Sequence, residues 1–186
     1  IFSIDGLIIT HFDADHAGGA MELLSQIPAD NLYLPVVEGN AISSELTKAH
    51  GDKIVWVEEI ITERSDDLTI IPAEQGSDGN ESSLCILFQP ENCDILITGD
   101  RSTVGEKALL QQVALPPVDI LIAGHHGSGS STGMELLTKI QPKITVISVA
   151  ENNYYGLPAE QTLYRLRLFG CRVYRTDLEG TIVFKG

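Results

Sequence analysis

Residues Thr10-His11-Phe12-Asp13-Ala14-Asp15-His16-Ala17-Gly18-Gly19 put two imidazoles and two carboxylates within six positions. Neutral imidazole nitrogen and compact carboxylate oxygen together suit Zn²⁺ or a harder divalent ion such as Mn²⁺. The apolar run Leu7-Ile8-Ile9 predicts a buried strand over Leu7–Thr10, and the glycines lead into a helix over Gly18–Gln26 that Pro28 stops. His11 and Asp13 alternate along an extended segment and so point the same way. Asp15 and His16 fall where the chain turns into the helix and can face a second ion. The competing reading, a polar loop with capping aspartates, leaves this density of ligand types between a strand and Gly-Gly unexplained.

Three more polar clusters each follow an apolar run. Ile95-Leu96-Ile97-Thr98-Gly99 ends in Asp100. Ile120-Leu121-Ile122-Ala123-Gly124 ends in His125-His126-Gly127-Ser128. Val146-Ile147-Ser148-Val149 leads to Asn152-Asn153-Tyr154-Tyr155-Gly156-Leu157-Pro158. Alone, Asp100 reads as a helix cap or turn residue, and a tandem His is as often packing as ligation. Strand carboxyl ends in α/β sheets converge on one crevice, however, so the clusters belong together.

Strands are predicted at Leu32–Leu34, Ile54–Val57, Leu68–Ile71, Val118–Ala123, Ile144–Val149, Arg172–Arg175 and Thr181–Phe184. Ser83–Phe88 and Asp94–Thr98 resemble a hairpin turning at Pro90-Glu91-Asn92. Helices are predicted at Ile42–His50, Val104–Val113, Glu135–Ile140 and Pro158–Phe169, and Gln75–Ser82 is a polar loop. The class is α/β, in one domain over residues 1–186 with no repeat or linker. Nothing precedes the first strand, so the chain is expected to begin inside a larger domain.

The formal net charge of −14 argues against a broad nucleic-acid-binding surface. Arg165, Arg167, Arg172, Arg175 and Lys185 offset this locally and read as a solvated helix face and strand edge. Cys85, Cys93 and Cys171 lack CxxC spacing and read as buried or free thiols. His50 reads as an exposed residue at a helix C-terminus. No apolar run is long enough to span a bilayer, and no basic segment precedes an apolar one as in a signal peptide.

His11-Phe12-Asp13-Ala14-Asp15-His16 resembles the HxHxDH signature of the metallo-β-lactamase superfamily, in an HxDxDH form. Thr98-Gly99-Asp100 resembles its TGD motif, Gly79-Asn80-Glu81-Ser82-Ser83-Leu84 the segment before it, and His125-His126-Gly127-Ser128 an HHGS motif. The combination is most similar to the hydrolase domain of ComEC-type DNA-uptake proteins. The resemblance implies a four-layer αββα sandwich, here without its N-terminal strands, and a site for two divalent ions, Zn or Mn. It implies His11 and Asp13 on the first ion, Asp15 and His16 on the second, Asp100 between them, and His125 as a further ligand. His126 is then a ligand, a supporting group or a proton carrier, and Asp15 orients the nucleophile. Asn80, Ser128 and Asn153 are candidates for contacting substrate.

The branch commonly has His where this chain has Leu157, which leaves the second ion weakly held or absent. The implied activity is phosphodiester hydrolysis, with single-stranded DNA as substrate and a membrane-channel parent as partner and tether. A small-molecule hydrolase, which suits the acidic charge, and a non-catalytic accessory domain are the other readings.

Overall fold

The computed structural model describes residues 3–37, 40–63, 67–77 and 79–185. The first sheet and its helices come from β1 (Ile4–Ile8), α1 (Ala14–Ala17), α2 (Ala20–Gln26), β2 (Ala29–Pro35), α3 (Ala41–His50) and β3 (Ile54–Val57). Strands β4 (Ile61–Glu63), β5 (Leu68–Ile71), β6 (Cys85–Phe88) and β7 (Ile95–Ile97) follow. Then helices and strands alternate through α4 (Thr103–Gln112), β8 (Ile120–Ile122), α5 (Met134–Ile140), β9 (Ile144–Ile147), α6 (Glu160–Leu168), β10 (Arg172–Arg175) and α7 (Thr176–Glu179).

Strands β1, β2 and β3 make a parallel three-stranded sheet in that order. The second sheet runs β10-β9-β8-β7-β6-β5-β4, antiparallel from β4 to β7 and parallel from β7 to β10. The antiparallel step from β6 to β7 is the predicted hairpin. Register sorts the side chains onto two faces. Ile71 pairs with Cys85 and Ile70 with Ile86, so Ile71 and Cys85 turn toward the helices while Ile70 turns toward the other sheet.

Three cores follow. Leu24, Leu32, Leu34 and Leu46 join α2 and α3 to the small sheet. Tyr33, Val57, Ile70 and Leu84 join the two sheets. Leu96, Leu109, Leu121, Leu137 and Leu166 join the large sheet to α4, α5 and α6. The layers are therefore helix, sheet, sheet, helix. Each fully buried leucine in them contributes about 1.5–3 kcal/mol of hydrophobic stabilisation.

Several expectations are corrected. The first strand lies over Ile4–Ile8, so Ile9 and Thr10 already belong to the site loop. The helix expected over Gly18–Gln26 is two helices, Ala14–Ala17 and Ala20–Gln26, meeting at Gly18-Gly19. A side chain at Gly18 would meet the Ala14 carbonyl oxygen at 2.3 Å, so the junction needs a glycine. Strand β4 has no counterpart among the predicted strands. The closing strand expected over Thr181–Phe184 is absent. Its alternation serves a different contact, with the Phe184 ring edge-on to Tyr174 at 5.6 Å. The expected loop at Gln75–Ser82 holds a 3₁₀ turn over Gly79–Ser82, while Asp78 lies outside the described residues. The three cysteines are free, and no helix among the described residues is long and apolar enough to cross a membrane.

Candidate metal centre

Four chain segments meet at the carboxyl ends of β1, β7, β8 and β9. The Leu84 N–H donates to the Thr10 carbonyl at 2.8 Å, which stitches the two sheets together beside the first cluster. After β7, Gly99 adopts φ 58° and approaches Ser83 so closely that a Cβ would sit 2.6 Å from the Ser83 Cβ. Only glycine satisfies both demands. Helix α4 is capped by the Ser102 hydroxyl, which accepts from the Val104 N–H at 3.2 Å. Asp100 is thus released from the capping role, and Asp13, at the cap position of α1, makes no side-chain cap bond. After β8, His125 and His126 both take left-handed conformations, φ 48° and 52°. Two successive non-glycine residues there cost about 1–2 kcal/mol each.

The buried Asp100 carboxylate is ringed by imidazoles. Its Oδ1 lies 3.3 Å from His16 Nε2. Its Oδ2 lies 3.8 Å from His11 Nε2, 3.7 Å from His125 Nε2 and 3.8 Å from His126 Nε2. Asp13 Oδ2 is 3.7 Å from His11 Nε2. Asp15 Oδ2 is 3.2 Å from His126 Nε2 and 3.9 Å from His16 Nε2, and the Nε2 atoms of His16 and His126 are 3.2 Å apart. Five of these residues form two overlapping groups, His11-His16-Asp100 and Asp15-His16-His126, and Asp13 and His125 adjoin them through His11 and Asp100.

The hydrogen-bond network assigns tautomers. The Ser83 hydroxyl donates to the Asn80 carbonyl at 2.7 Å and accepts from the Asp100 N–H at 3.1 Å. At its 3.3 Å contact with His11 Nδ1 it is therefore an acceptor, so Nδ1 carries the proton and Nε2 is a lone pair. That Nε2 is buried with no partner. His126 Nδ1 donates to the Ser148 carbonyl at 2.8 Å, so in the neutral ring its Nε2 is a lone pair as well. Lone pairs facing carboxylate oxygens are mutually repulsive until a cation or proton lies among them. The donor set therefore fits divalent ions.

Charge state follows the same logic. Burial holds the His11 imidazole below its ordinary value, with His16 adding to this against the pull of Asp100, Asp13 and Asp15. Burial acts the same way on His16, but its hydrogen bond to Asp100 and the three carboxylates carry it above its ordinary value. Burial opposes ionisation of Asp100, yet His16 and then His125 and His11 keep it below the usual carboxylate range.

The loop after the tandem histidines is held by two side chains that no motif or periodicity marks. Arg165 on α6 donates to the carbonyls of Gly129, Ser131 and Thr132 at 3.0, 2.8 and 3.0 Å. This corrects its reading as part of a solvated helix face. The Glu106 carboxylate on α4 accepts from the Thr132 and Gly133 N–H groups at 2.5 and 2.8 Å. One cation and one anion thus satisfy both kinds of backbone group in residues 129–133.

Burial pushes the Glu106 carboxyl from 4.5 up to about 7, against the pull of those N–H groups and of Arg165. The folded chain then holds a proton that the unfolded chain releases, so this contribution to stability is full below 4.5 and is lost as pH rises through about 7. The shift corresponds to about 3 kcal/mol. Urea unfolding in EDTA should show the wild type losing about that much between roughly pH 4 and pH 8 relative to Glu106→Gln, whose side chain does not titrate. Parallel pH profiles of the two proteins contradict it.

The three substrate candidates lie differently. The Asn80 carbonyl sets the Ser83 hydroxyl, and through it His11. The Ser128 hydroxyl pairs with that of Ser130 at 3.0 Å. The Asn153 side chain clips its own loop, donating to the Leu157 carbonyl at 2.6 Å and accepting from the Leu157 N–H at 2.8 Å. Leu157 packs against the large core and supplies no donor. Thr10 and Ser148 also escaped notice, since their roles run through a hydroxyl and a carbonyl beside a histidine ring.

The sequence matches the model of the Metallo-beta-lactamase superfamily over residues 1–151. The chain belongs to that superfamily. It is 32% identical over 195 residues to ComE operon protein 3 of Bacillus subtilis, covering all of this chain and 25% of that protein. It is 28% identical over 186 residues to the competence protein ComA of Neisseria gonorrhoeae, covering 97% of this chain and 25% of that protein. The chain thus spans about a quarter of the length of these curated relatives. Among solved structures, the metallo-beta-lactamase fold protein YhfI of Bacillus subtilis superposes with a TM-score of 0.56 at 11% identity, over 92% of this chain and 73% of that one. The layers described above are those of the metallo-β-lactamase fold.

Proposed function

We propose that this chain is a divalent-metal-dependent phosphodiester hydrolase that acts on single-stranded DNA as part of a DNA-uptake protein. The observation that carries the reading is the convergence of His11, Asp13, Asp15, His16, Asp100 and the His125-His126 pair, with the His11 Nε2 lone pair buried and unpartnered. The similarity to competence proteins supports the substrate class.

His11, Asp13 and Asp100 would hold one ion, and Asp15, His16 and one tandem histidine the other. The geometry favours His126 for that place over the expected His125, because its Nε2 lies 3.2 Å from both Asp15 and His16. His125, one-third exposed and with Asp100 as its only carboxylate neighbour among the described residues, is then the group free to protonate a leaving oxygen. Divalent ions at such a site lower the pKa of water toward about 7 and stabilise charge on phosphoryl oxygen. The chain's own residues do the rest: the exposed Asp15 carboxylate orients the attacking water, Ser83 and Ser148 fix the rings, and Asp100 keeps negative charge at the centre.

Elemental analysis after loading with Mn²⁺ or Zn²⁺ should find about two ions per chain, and the loaded protein should cut labelled single-stranded DNA. Fewer than about 0.2 ions per chain would leave no basis for a two-metal hydrolase. That result would favour a second reading, an accessory domain without turnover, which Leu157 supports by presenting hydrocarbon where a donor is expected. Cleavage confined to small phosphodiesters would move the substrate to that class.

A further inference from the structure

Beside the metal centre lies a cavity of about 410 Å³ that the chemistry above leaves unused. It shares Asp15 and His126 with the centre, and its other walls include Val149, Leu157, Asn153 and Tyr155. Val149 and Leu157 give it a hydrocarbon floor. The polar atoms of Asn153 are engaged by its own loop, so that wall offers a closed ring of hydrogen bonds and no free hook. Tyr155 stands at the rim, 83% exposed, with Tyr154 next to it at 97%. Their rings meet edge to face, 6.1 Å apart and at 87°, so they present two faces at right angles to solvent. Packing within the chain does not account for two neighbouring aromatic rings left this bare.

A flat, stackable ligand fits such a place, and among the phosphodiesters of the proposed substrate class the unpaired bases of a single strand supply one. We infer that this cavity is a nucleobase subsite. In it, the base adjoining the scissile phosphate rests against Leu157 and Val149 and stacks on Tyr155, while Tyr154 takes a neighbouring base. The inference rests on the phosphodiesterase reading for where the phosphate lies, and it assigns what that reading leaves open, namely what selects a single strand over a duplex. Bases locked in a duplex present no free face to a tyrosine.

Charge supports the same division of labour. The chain carries a formal −14, so a basic groove along the sugar-phosphate backbone is not its means of holding a polyanion. Affinity then comes from the ions at one phosphate and from stacking at one or two bases. Leu157 acquires a role here: the side chain that withholds a metal donor supplies the apolar wall of the base pocket.

The test is binding of a short fluorescent single-stranded oligonucleotide to the Mn²⁺-loaded chain, read by anisotropy, beside an oligomer of the same length built of abasic sites. Tyr155→Ala should weaken binding of the normal strand on the order of tenfold, as expected for loss of one base stack, and leave the abasic strand unchanged. Tyr154→Ala should have a smaller effect in the same direction. The slope of log K against log salt should be shallower than about −2, reporting few phosphate contacts. A base-analogue fluorophore at the cleavage position should be quenched by the wild type and not by Tyr155→Ala.

Equal affinity for normal and abasic strands, or a Tyr155→Ala variant that binds like the wild type, overturns the subsite. Both tyrosines are exposed, so a folding defect is not a competing explanation. The outcomes also separate the two proposals. If the subsite is wrong and the hydrolase right, cleavage persists without base dependence. If the hydrolase is wrong and the subsite right, base-dependent binding and quenching persist without cleavage.

Discussion

Replacing Asp100 with asparagine is expected to remove metal binding and turnover together while leaving the fold standing. The carboxylate faces four imidazole nitrogens within 3.8 Å and is the only acidic group among the described residues that does so. Asparagine keeps the volume and one oxygen near His16 but loses the negative charge that makes the pocket attractive to a cation. Affinity for Mn²⁺ should fall on the order of a hundredfold or more, since changes merely next to metal ligands cost 10–100-fold. The metal-free protein loses little. At alkaline pH the His16 imidazole, held above its ordinary value by Asp100, needs that counter-charge least, and the Asp100 N–H keeps its bond to Ser83. Urea unfolding in EDTA at that pH should therefore agree with the wild type to within about 1 kcal/mol. Calorimetric titration with Mn²⁺ reads the other half, and wild-type affinity in Asp100→Asn would remove Asp100 from the centre.

Arg165→Ala has the opposite signature. It removes three bonds to the carbonyls of Gly129, Ser131 and Thr132 and one to the Thr162 hydroxyl. Ser131 and Thr132 are fully buried, so water cannot readily replace the guanidinium. The loss also removes the favourable charge of Arg165 from Glu106. We expect about 3–5 kcal/mol of destabilisation, which for a chain of this size lowers the melting temperature by about 6–20 °C. Lysine should restore little, because a single ammonium does not span a fan of carbonyls as the planar fork does. Mn²⁺ affinity should fall as a secondary effect, since the loop no longer holds His125 and His126 in their left-handed conformations. A melting temperature within about 2 °C of the wild type would show that the loop supports itself.

These two residues mark what was legible in the sequence. Asp100 was visible because a hydrophobic strand delivers it after a glycine, and strand ends converge. The same holds for His11, Asp13, Asp15, His16, His125 and His126, and strands such as β3, β5 and β10 carry apolar patterns that define their limits. Arg165 and Glu106 were hidden because their partners are backbone atoms in a loop, and nothing in residue type announces such a bond. Strand β4 was hidden by its shortness and by the polar stretch beside it. The Thr181–Phe184 strand was expected because alternation shows that one face is buried without saying on what. The preference for His126 over His125 depends on how near its Nε2 lies to Asp15 and His16, an orientation that the Ser148 carbonyl holds from a separate strand end.

The stitch between Leu84 and Thr10 acquires a further meaning once the ligands are assigned to their sheets. His11, Asp13, Asp15 and His16 hang from the small sheet, whereas Asp100 and the tandem histidines hang from the large one. An ion gripped by both is a cross-link, closing a span of 110 residues between His16 and His126. By the chain-entropy argument used for disulfides, tying off a loop that long is worth about 4–5 kcal/mol. The metals would then be rivets as well as reagents. Stripping them would loosen the seam between the two halves of the sandwich, so that loss of activity and loss of rigidity arrive as one event.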